Sequence, residues 1–236
     1  GRQYTGVVEM QNASVHVNRE LEEGKRDIKT LEILLDENVQ SREDVLALGI
    51  QNGDVICLDP RARVTPSGYI RSRFLDDKLS AGMLLELARA VAEGEVQPER
   101  KTSLFFSVYE EVGHGASAGI PEDTEDLLVV DMGCVGLDLA GSEYAVSICA
   151  KDSGGPYDYE LTNRLIALAK KHELPYTVDI FPFYGSDVGA AWRAGLDCKG
   201  ALIGSGVCAS HGMERTHIKG LEATLKLMYL YLCGEE

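Results

Sequence analysis

The sequence lacks long apolar runs and is short of positive charge. Its apolar stretches, such as 127–130, are far shorter than the ~20 residues that a membrane-spanning helix needs. The 23 lysines and arginines are outnumbered by 38 aspartates and glutamates, so the net charge at pH 7 is −15. A surface with this charge repels phosphate backbones and suits cationic groups. We therefore expect neither a membrane partner nor a nucleic-acid partner.

Cysteine pairs of the C-x-x-C type are also missing. The six cysteines are scattered through 236 residues, and a chain of this length does not need disulfides for stability. They stand at positions 57, 134, 149, 198, 208 and 233. In strand-like surroundings such as 146–150, an unpaired cysteine behaves as a small hydrophobe. The sequence therefore predicts reduced thiols and a cytoplasmic protein.

The first part of the chain differs from the rest in its pattern of apolar, charged and turn-forming residues. A chain of 236 residues corresponds to one large or two small domains. Residues 1–72 contain short β-like runs, separated by charged and turn-forming segments. These runs are 5–10, 31–36 and 54–58. A serine-led capping box predicts one short helix at 41–49. We expect residues 1–72 to form a small β-rich domain.

Residues 73–236 alternate between strand-like and helix-like segments. The predicted helices are 78–93, 158–172, 187–194 and 219–232. The predicted strands are 102–109, 127–131, 145–150, 176–181 and 200–203. This alternation indicates an α/β domain with a mainly parallel sheet flanked by helices. Ligands of such sheets bind beyond the carboxyl ends of the strands.

Acidic residues and a histidine occupy these positions. Asp76 and Asp77 open the long helix, the pair Glu110 and Glu111 and then Asp131 end strands, and His211 follows the last strand. Each alone could cap a helix or stabilise a turn. Carboxylates gathered at one end of a sheet repel one another unless a cation neutralises them, and carboxylates with imidazole suit zinc or a neighbouring metal. The set suggests a two-metal site. In the adjacent glutamate pair, one can bind metal while the other takes a proton from water.

Five motifs, in this order, resemble those of the M42 family of co-catalytic metallo-aminopeptidases. They are F-L-D-D-K at 74–78, Y-E-E-V-G at 109–113, V-D-M-G at 130–133, Y-G-S-D at 184–187 and S-H-G-M-E-R-T-H at 210–217. The resemblance covers essentially the whole chain. It implies a zinc-peptidase-like catalytic domain at 73–236 and makes 1–72 the dimerisation domain that these enzymes insert.

The resemblance also implies roles for individual residues. Asp76 would bridge two divalent metal ions, with zinc first and cobalt or manganese as alternatives. Glu111 and His211 would complete one metal site, Asp131 would bind the other ion, and Glu110 would be the general base. The peptide bond after Asp76 would be cis. His217 is an alternative ligand to His211, or a polar partner of the site.

The implied reaction is the removal of N-terminal residues from short peptides by a homo-oligomer, either a dimer or a larger assembly of dimers. The loops 151–157 and 182–189 are expected to wall the specificity pocket, because their glycines permit close backbone approach. We assign Gly185, Ser186 and Asp187 to substrate binding. Asp187 could recognise a basic side chain or cap the helix at 187–194.

One motif of the family is missing. Its first metal ligand is a histidine in an H-x-D motif, and none of the five histidines stands in such a motif here. We expect the chain to lack the family's N-terminal catalytic segment. The 1–72 domain would then be incomplete and the sheet would lack its first strands. The metal ion bound by Asp131 would lack one ligand.

Two other functions compete with the peptidase. An endoglucanase-like glycoside hydrolase also uses paired carboxylates, but adjacent glutamates do not flank a bond, and a single tryptophan, Trp192, offers few aromatic platforms for sugars. A non-catalytic scaffold, or an inactive fragment of the same fold, is the other alternative, since a fold does not establish a function.

Overall fold

The structure is a computed structural model that describes residues 1–234. The chain divides into two compact units, the first spanning Gly1–Leu58 and the second beginning at Asp59. Among the helices of the described residues, none is long and apolar enough to cross a membrane.

The first unit is built on a two-stranded antiparallel sheet of β1 (Gly6–Met10) and β2 (Leu31–Leu35). A 3₁₀ helix at Arg19–Glu22 and helix α1 (Arg42–Ala47) complete it. The capping box of α1 is confirmed, because Ser41 Oγ accepts the Asp44 amide at 3.1 Å and Asp44 Oδ2 accepts the Ser41 amide at 2.9 Å.

The first unit has almost no core of its own. None of the residues 1–58 is buried, and a two-stranded sheet without a covering layer is at best marginally stable. The predicted strand 54–58 is wrong, since within 1–58 only β1 and β2 form a ladder and Asp54 instead closes a turn with its amide on the Gln51 carbonyl, at 3.2 Å.

The second unit contains one sheet of eight strands. They are β3 (Arg63–Val64), β4 (Tyr69–Ser72), β5 (Asp126–Val135), β6 (Val146–Asp152), β7 (Gly155–Pro156), β8 (Tyr176–Ile180), β9 (Lys199–Cys208) and β10 (Glu214–His217). The main path is β3-β4-β10-β9-β6-β7, with β5 paired to β9 and β8 paired to β6. Because β3 and β4 belong to this sheet, the boundary between the units lies at 58/59 and not at the expected 72/73.

The α/β class is confirmed, but the sheet is mixed. The pairs β5–β9 and β6–β8 are parallel, whereas the remaining pairs are antiparallel. A parallel pair needs a crossover of a dozen or more residues. The loop 136–145 joins β5 to β6 and the loop 209–213 joins β9 to β10, and both are shorter than that. β6 therefore runs opposite to β5, and so to β9, with which β5 is parallel. β10 runs opposite to β9 for the same reason.

Four helices cover the sheet: α2 (Leu75–Ala92), α3 (Tyr159–Lys171), α4 (Asp187–Arg193) and α5 (Ile218–Cys233). Alternate residues of a strand point to opposite faces. Ile203 of β9 accordingly joins a core cluster with residues of α2, α3 and α5, while Leu202 joins a second cluster with Val188 of α4. Helices on both faces explain the nearly continuous apolar sequence of β9.

The predicted strand 102–109 is wrong. Residues 102–107 have no regular structure and are followed by 3₁₀ helices at Glu110–Val112 and Gly115–Ser117. The segment has a β-like sequence, but a strand also requires a backbone partner, and within residues 1–234 no ladder includes it. Phe106 and Val108 remain exposed.

Candidate metal-binding and catalytic site

Asp76 and Asp77 lie in the first turn of α2 without helical backbone angles. Asp76 has φ −79° and ψ 106°, and the peptide bond between the two residues is cis, as the resemblance implies. Phe74 enters the helix in the left-handed region at φ 66°. The Asp76 side chain is only 11% exposed, so its carboxylate reaches the site from the interior of the protein.

His211 brings three predicted ligands of one metal together. It lies in the loop between β9 and β10, with a left-handed φ of 62°. Its Nε2 atom is 3.2 Å from Asp76 Oδ2 and 3.7 Å from Glu111 Oε2. The imidazole is largely exposed, so this group of side chains opens to solvent.

Asp131 lies within β5 rather than at its end. Its side chain is 3% exposed, and Oδ1 accepts the Met132 amide at 2.7 Å. Burial raises the pKa of Asp131 well above its usual value, and the charge of Asp76 raises it further. Tyr184, which donates its hydroxyl to the Met132 carbonyl at 3.0 Å, packs beside it.

Glu110 begins the 3₁₀ helix that also carries Glu111. Burial, followed by the charges of Asp187 and Glu111, raises the pKa of Glu110 to about 7. A carboxyl group with such a pKa can exchange a proton near neutral pH. Asp187, on the first turn of α4, accepts the Ala116 amide at 2.9 Å and thereby ties α4 to the loop that follows Glu110.

The carboxylates of the site repel one another. Burial and the charge of Glu111 raise the pKa of Asp76 to about 6, against the opposing effect of His211. The pKa of Asp77 is also raised, first by burial and then by Glu111 and Asp187. Negative charge concentrated in a partly buried site favours a cation.

By chemistry, Asp76, Glu111 and His211 fit one divalent ion, since carboxylate oxygen and imidazole nitrogen are ligands of zinc and neighbouring metals. As the side chains are placed among residues 1–234, however, no group of three or more His, Cys, Asp or Glu residues could hold a metal ion, so these side chains would have to rearrange to bind one. Asp131 and Asp76 would supply the second ion with two carboxylates, and the chain contains no H-x-D histidine to join them.

His217 has a different role from His211. It is buried at the N-cap of α5, where Nδ1 accepts the Lys219 amide at 3.1 Å and Nε2 donates to the Ser67 carbonyl at 2.8 Å. Its ring also packs edge-on against Tyr69. Because both ring nitrogens are used, the structure favours His211 over His217 as a ligand.

Of the three residues assigned to substrate binding, Asp187 is brought to the site. Gly185 is exposed with open space beside its Cα. Ser186 is buried, and its hydroxyl bonds the Tyr157 hydroxyl at 2.8 Å, which itself donates to Asp152 Oδ2 at 2.8 Å. The Ser186 hydroxyl is therefore committed to an internal network that holds the loop. Asp187 bonds the Ala116 amide and not an amide of its own helix.

Sequence reasoning missed Glu214, although it stands inside a quoted motif. Its side chain is buried, Oε2 accepts the Asp76 amide at 3.0 Å, and Oε1 accepts the His211 amide at 2.9 Å. The proximity of Glu214 to His211 in the sequence was the only available signal. Its contact with Asp76, 138 residues away, becomes visible only in the fold.

The solved structures that resemble the chain include several aminopeptidases and an endoglucanase of Thermotoga maritima, which has a TM-score of 0.60 at 15% identity and matches 96% of this chain and 64% of its own. The TET aminopeptidase of Thaumarchaeota archaeon SCGC AB-539-E09 has a TM-score of 0.81 at 18% identity and matches 98% of this chain and 67% of its own. The TET1 peptidase of Pyrococcus horikoshii, which can assemble into a tetrahedron or a large octahedral shell, has a TM-score of 0.71 at 20% identity and matches 89% of this chain and 64% of its own. At these identities the likeness shows a shared fold.

The sequence comparison shows the family. Residues 1–227 match the M42 glutamyl aminopeptidase family, and the chain is 44% identical over 232 residues to the putative aminopeptidase YhfE of Bacillus subtilis (strain 168), with 98% of this chain and 67% of that protein covered. The chain belongs to the M42 peptidase family. Peptidases of this family are generally metal-dependent. The chain spans about two thirds of the length of each of these relatives.

Proposed function

We propose that the complete gene product is a metal-dependent aminopeptidase that removes N-terminal residues from short peptides. The observation that carries this proposal is the approach of His211 to both Asp76 and Glu111, at 3.2 and 3.7 Å, beside Glu110, whose pKa is raised to about 7. Membership of the M42 family supports the same reaction.

Metal ligands and base have separate roles in this proposal. Asp76, Glu111 and His211 would hold one divalent ion, and Asp131 would hold a second with Asp76. Zinc is the first choice, with cobalt or manganese as alternatives; when bound, such ions would supply the Lewis acidity that lowers the pKa of water and polarises a carbonyl. The Glu110 carboxylate accepts the proton of the attacking water and then delivers it to the nitrogen of the leaving amine.

A raised pKa suits Glu110 to both proton transfers. In the metal-free protein, burial and the charge of Asp187 raise the pKa of Glu110 to about 7, and a carboxyl group with such a pKa can exchange a proton near neutral pH. Asp187 thus supports the base electrostatically and holds the loop at Ala116. We assign Gly185 and Asp187 to the wall of the substrate pocket, and Ser186 to the internal support of that wall.

We further propose a homo-oligomer, either a dimer or a larger assembly of dimers. The ability of the Pyrococcus horikoshii relative to form closed shells supports this, and so does the poorly covered sheet of the first unit, where Val7 and Leu34 are about half exposed. Closed assemblies with inward-facing sites would admit only short peptides. All six cysteines are free, which supports a reducing, cytoplasmic location.

Metal content and turnover test the proposal together. The complete gene product and residues 1–236 would be compared by elemental mass spectrometry and assayed on aminoacyl-p-nitroanilides after addition of zinc, cobalt or manganese. We expect about two metal equivalents and turnover in the complete product. Absence of both in the complete product would favour the scaffold alternative, and hydrolysis of soluble cellulose in place of the anilides would favour the glycosidase.

Two variants separate the base from the ligand. Glu110→Gln should lose turnover by at least ~100-fold while keeping its metal, whereas Glu111→Ala should lose metal. Equal loss of metal in both variants would contradict the division of roles between the two glutamates.

A further inference from the structure

We propose that Glu214 is a positioning residue of the metal site, which fixes the two backbone segments that carry Asp76 and His211 so that both side chains meet at one ion. This inference rests on the proposed function, because it assumes that Asp76 and His211 are ligands. It adds a residue outside that ligand set, whose side chain acts on backbone amides.

The contacts of Glu214 are unusually well placed for this role. The side chain is 1% exposed, and each carboxylate oxygen accepts one amide: Oε2 that of Asp76 at 3.0 Å and Oε1 that of His211 at 2.9 Å. Hydrogen bonds from amides to a carboxylate are stronger than neutral ones. A single buried side chain thus joins the start of α2 to the loop before β10.

The strand that carries Glu214 constrains the same two segments. Glu214 opens β10 and is paired in register with Ser72 of β4, which leads directly into α2. On its other side it lies close to His211 in the chain. The carboxylate therefore sits at the point where both ligand-bearing segments leave the sheet, and a small displacement of Glu214 would move both.

Both segments adopt backbone conformations that do not persist without support. Phe74, before Asp76, and His211 are non-glycine residues in the left-handed region, at φ 66° and 62°. Such conformations carry strain and persist where the surrounding structure determines them. Glu214 accepts hydrogen bonds from the amides of Asp76 and His211. It thereby supports the backbone of both segments at the two proposed ligands.

A positioning role predicts a loss of metal affinity in a protein that stays folded. Partners that orient metal ligands typically contribute 10–100-fold to metal affinity or activity. Glu214→Gln keeps the shape of the side chain but replaces one accepting oxygen with an NH₂ group, which cannot accept an amide hydrogen. A purely structural role would lower the melting temperature and leave the affinity of the folded protein unchanged.

Glu143→Gln provides a matched control. Glu143 is also a buried acid and also contacts β10, but it accepts bonds from the Arg215 side chain at 2.7 and 2.9 Å and not from the site. Loss of this ion pair should destabilise the protein without moving Asp76 or His211.

The experiment measures zinc affinity by chelator competition, the visible spectrum of the cobalt-substituted protein and thermal unfolding, in the complete gene product and its variants. We expect Glu214→Gln to lose ~10–100-fold in zinc affinity with an altered cobalt spectrum, and Glu143→Gln to keep both. Wild-type affinity and spectrum in folded Glu214→Gln would overturn the proposal, as would an equal loss of affinity in the control.

A second variant covers the case in which Glu214→Gln does not fold. Glu214→Asp retains the charge but is shorter by one methylene, so it cannot reach both amides; we expect a smaller loss of zinc affinity and an altered cobalt spectrum, and unchanged values would overturn the proposal. If the wild-type protein itself binds no metal and has no turnover, the proposed function fails and this inference fails with it. If the wild-type protein binds metal and has turnover, and the Glu214 variants match it in zinc affinity and cobalt spectrum, only the positioning role of Glu214 is contradicted.

Discussion

His211 and His217 lie close together in the chain, yet their surroundings are opposite. The His211 imidazole is largely exposed and its Nε2 faces two carboxylates, whereas the His217 ring is buried and both its nitrogens are hydrogen-bonded. At the scale of the residue, the number of free ring nitrogens decides which histidine can bind a metal.

Single replacements of the two histidines should therefore separate metal binding from stability. His217→Ala removes the cap of α5 and should lower the free energy of unfolding by about 1–2 kcal/mol while leaving zinc affinity unchanged. His211→Ala should lower zinc affinity at least ~10-fold with little change in stability. Chemical denaturation and chelator competition measure the two effects, and loss of zinc in folded His217→Ala would contradict this division.

At the scale of the residue, motifs predicted the candidate ligands but not their supports. Asp76, Glu111 and His211 belong to short motifs and come together in the fold. The contacts of Glu214 with Asp76 and of Asp187 with Ala116 join residues 138 and 71 positions apart. No local pattern encodes such a contact, because a backbone amide has the same chemistry at every position.

At the scale of the element, α4 and the loop after Glu110 act as one unit, joined by Asp187 and the Ala116 amide. The charge of Asp187 is the second cause, after burial, of the raised pKa of Glu110. Asp187→Asn removes the charge but keeps an oxygen that can accept the Ala116 amide. The pKa of Glu110 should then fall, and the acid limb of the pH profile of kcat/KM should move to lower pH.

Asp179→Asn is the control for this profile. Asp179 Oδ1 likewise accepts a loop amide, that of Ala140, at 2.8 Å, but Asp179 is not among the main causes of the raised pKa of Glu110. Its replacement should leave the acid limb in place. An acid limb that stays fixed in Asp187→Asn, or that moves to higher pH, would contradict the electrostatic role of Asp187.

Helices were more predictable than strands. The apolar periodicity of α3 and α5 places Leu165 and Leu227 in one core cluster, and a helix makes its hydrogen bonds within the segment that encodes it. The segment 102–107 has an equally clear β-like sequence but no regular structure. A strand depends on a neighbour elsewhere in the chain, so its existence cannot be read from its own residues.

At the scale of the whole molecule, the acidic site should make stability depend on pH when metal is removed. The pKa of Asp76 is raised from 3.8 to about 6 and that of Glu110 from 4.5 to about 7. Because these pKa values are raised in the folded state, the folded protein holds the two protons more tightly than the unfolded chain does. The associated stability is fully present below the ordinary pKa values of 3.8 and 4.5 and is lost as pH rises through about 6 and about 7.

We therefore expect the melting temperature of the metal-free complete gene product to fall by roughly 3–6 °C between about pH 5 and pH 8. Added zinc should reverse the fall, because it binds the ionised carboxylates. Differential scanning calorimetry measures both effects. The double variant Asp76→Asn, Glu110→Gln should show a flatter dependence, and an equally steep fall in that variant would place the titrating groups elsewhere.

The first unit gives a prediction about assembly. Val7 and Leu34 are directly opposite each other on β1 and β2 and are 50% and 51% exposed. Replacing both with lysine should reduce the proposed oligomer to smaller species, since charge disfavours burial at an interface. Light scattering after size exclusion measures the molar mass. Leu137→Lys, at a 96% exposed position in the second unit, is the control and should leave the mass unchanged.

The hydrogen bonds of Glu214 also have a consequence for biosynthesis. During translation Asp76 is made long before Glu214, which accepts its amide and follows 138 residues later. His211 is made shortly before Glu214. A nascent chain that carries Asp76, Glu110 and Glu111 therefore has neither the imidazole nor the carboxylate that holds both backbones. The proposed metal site, with both of its backbone segments held, can therefore form only after translation has passed Glu214.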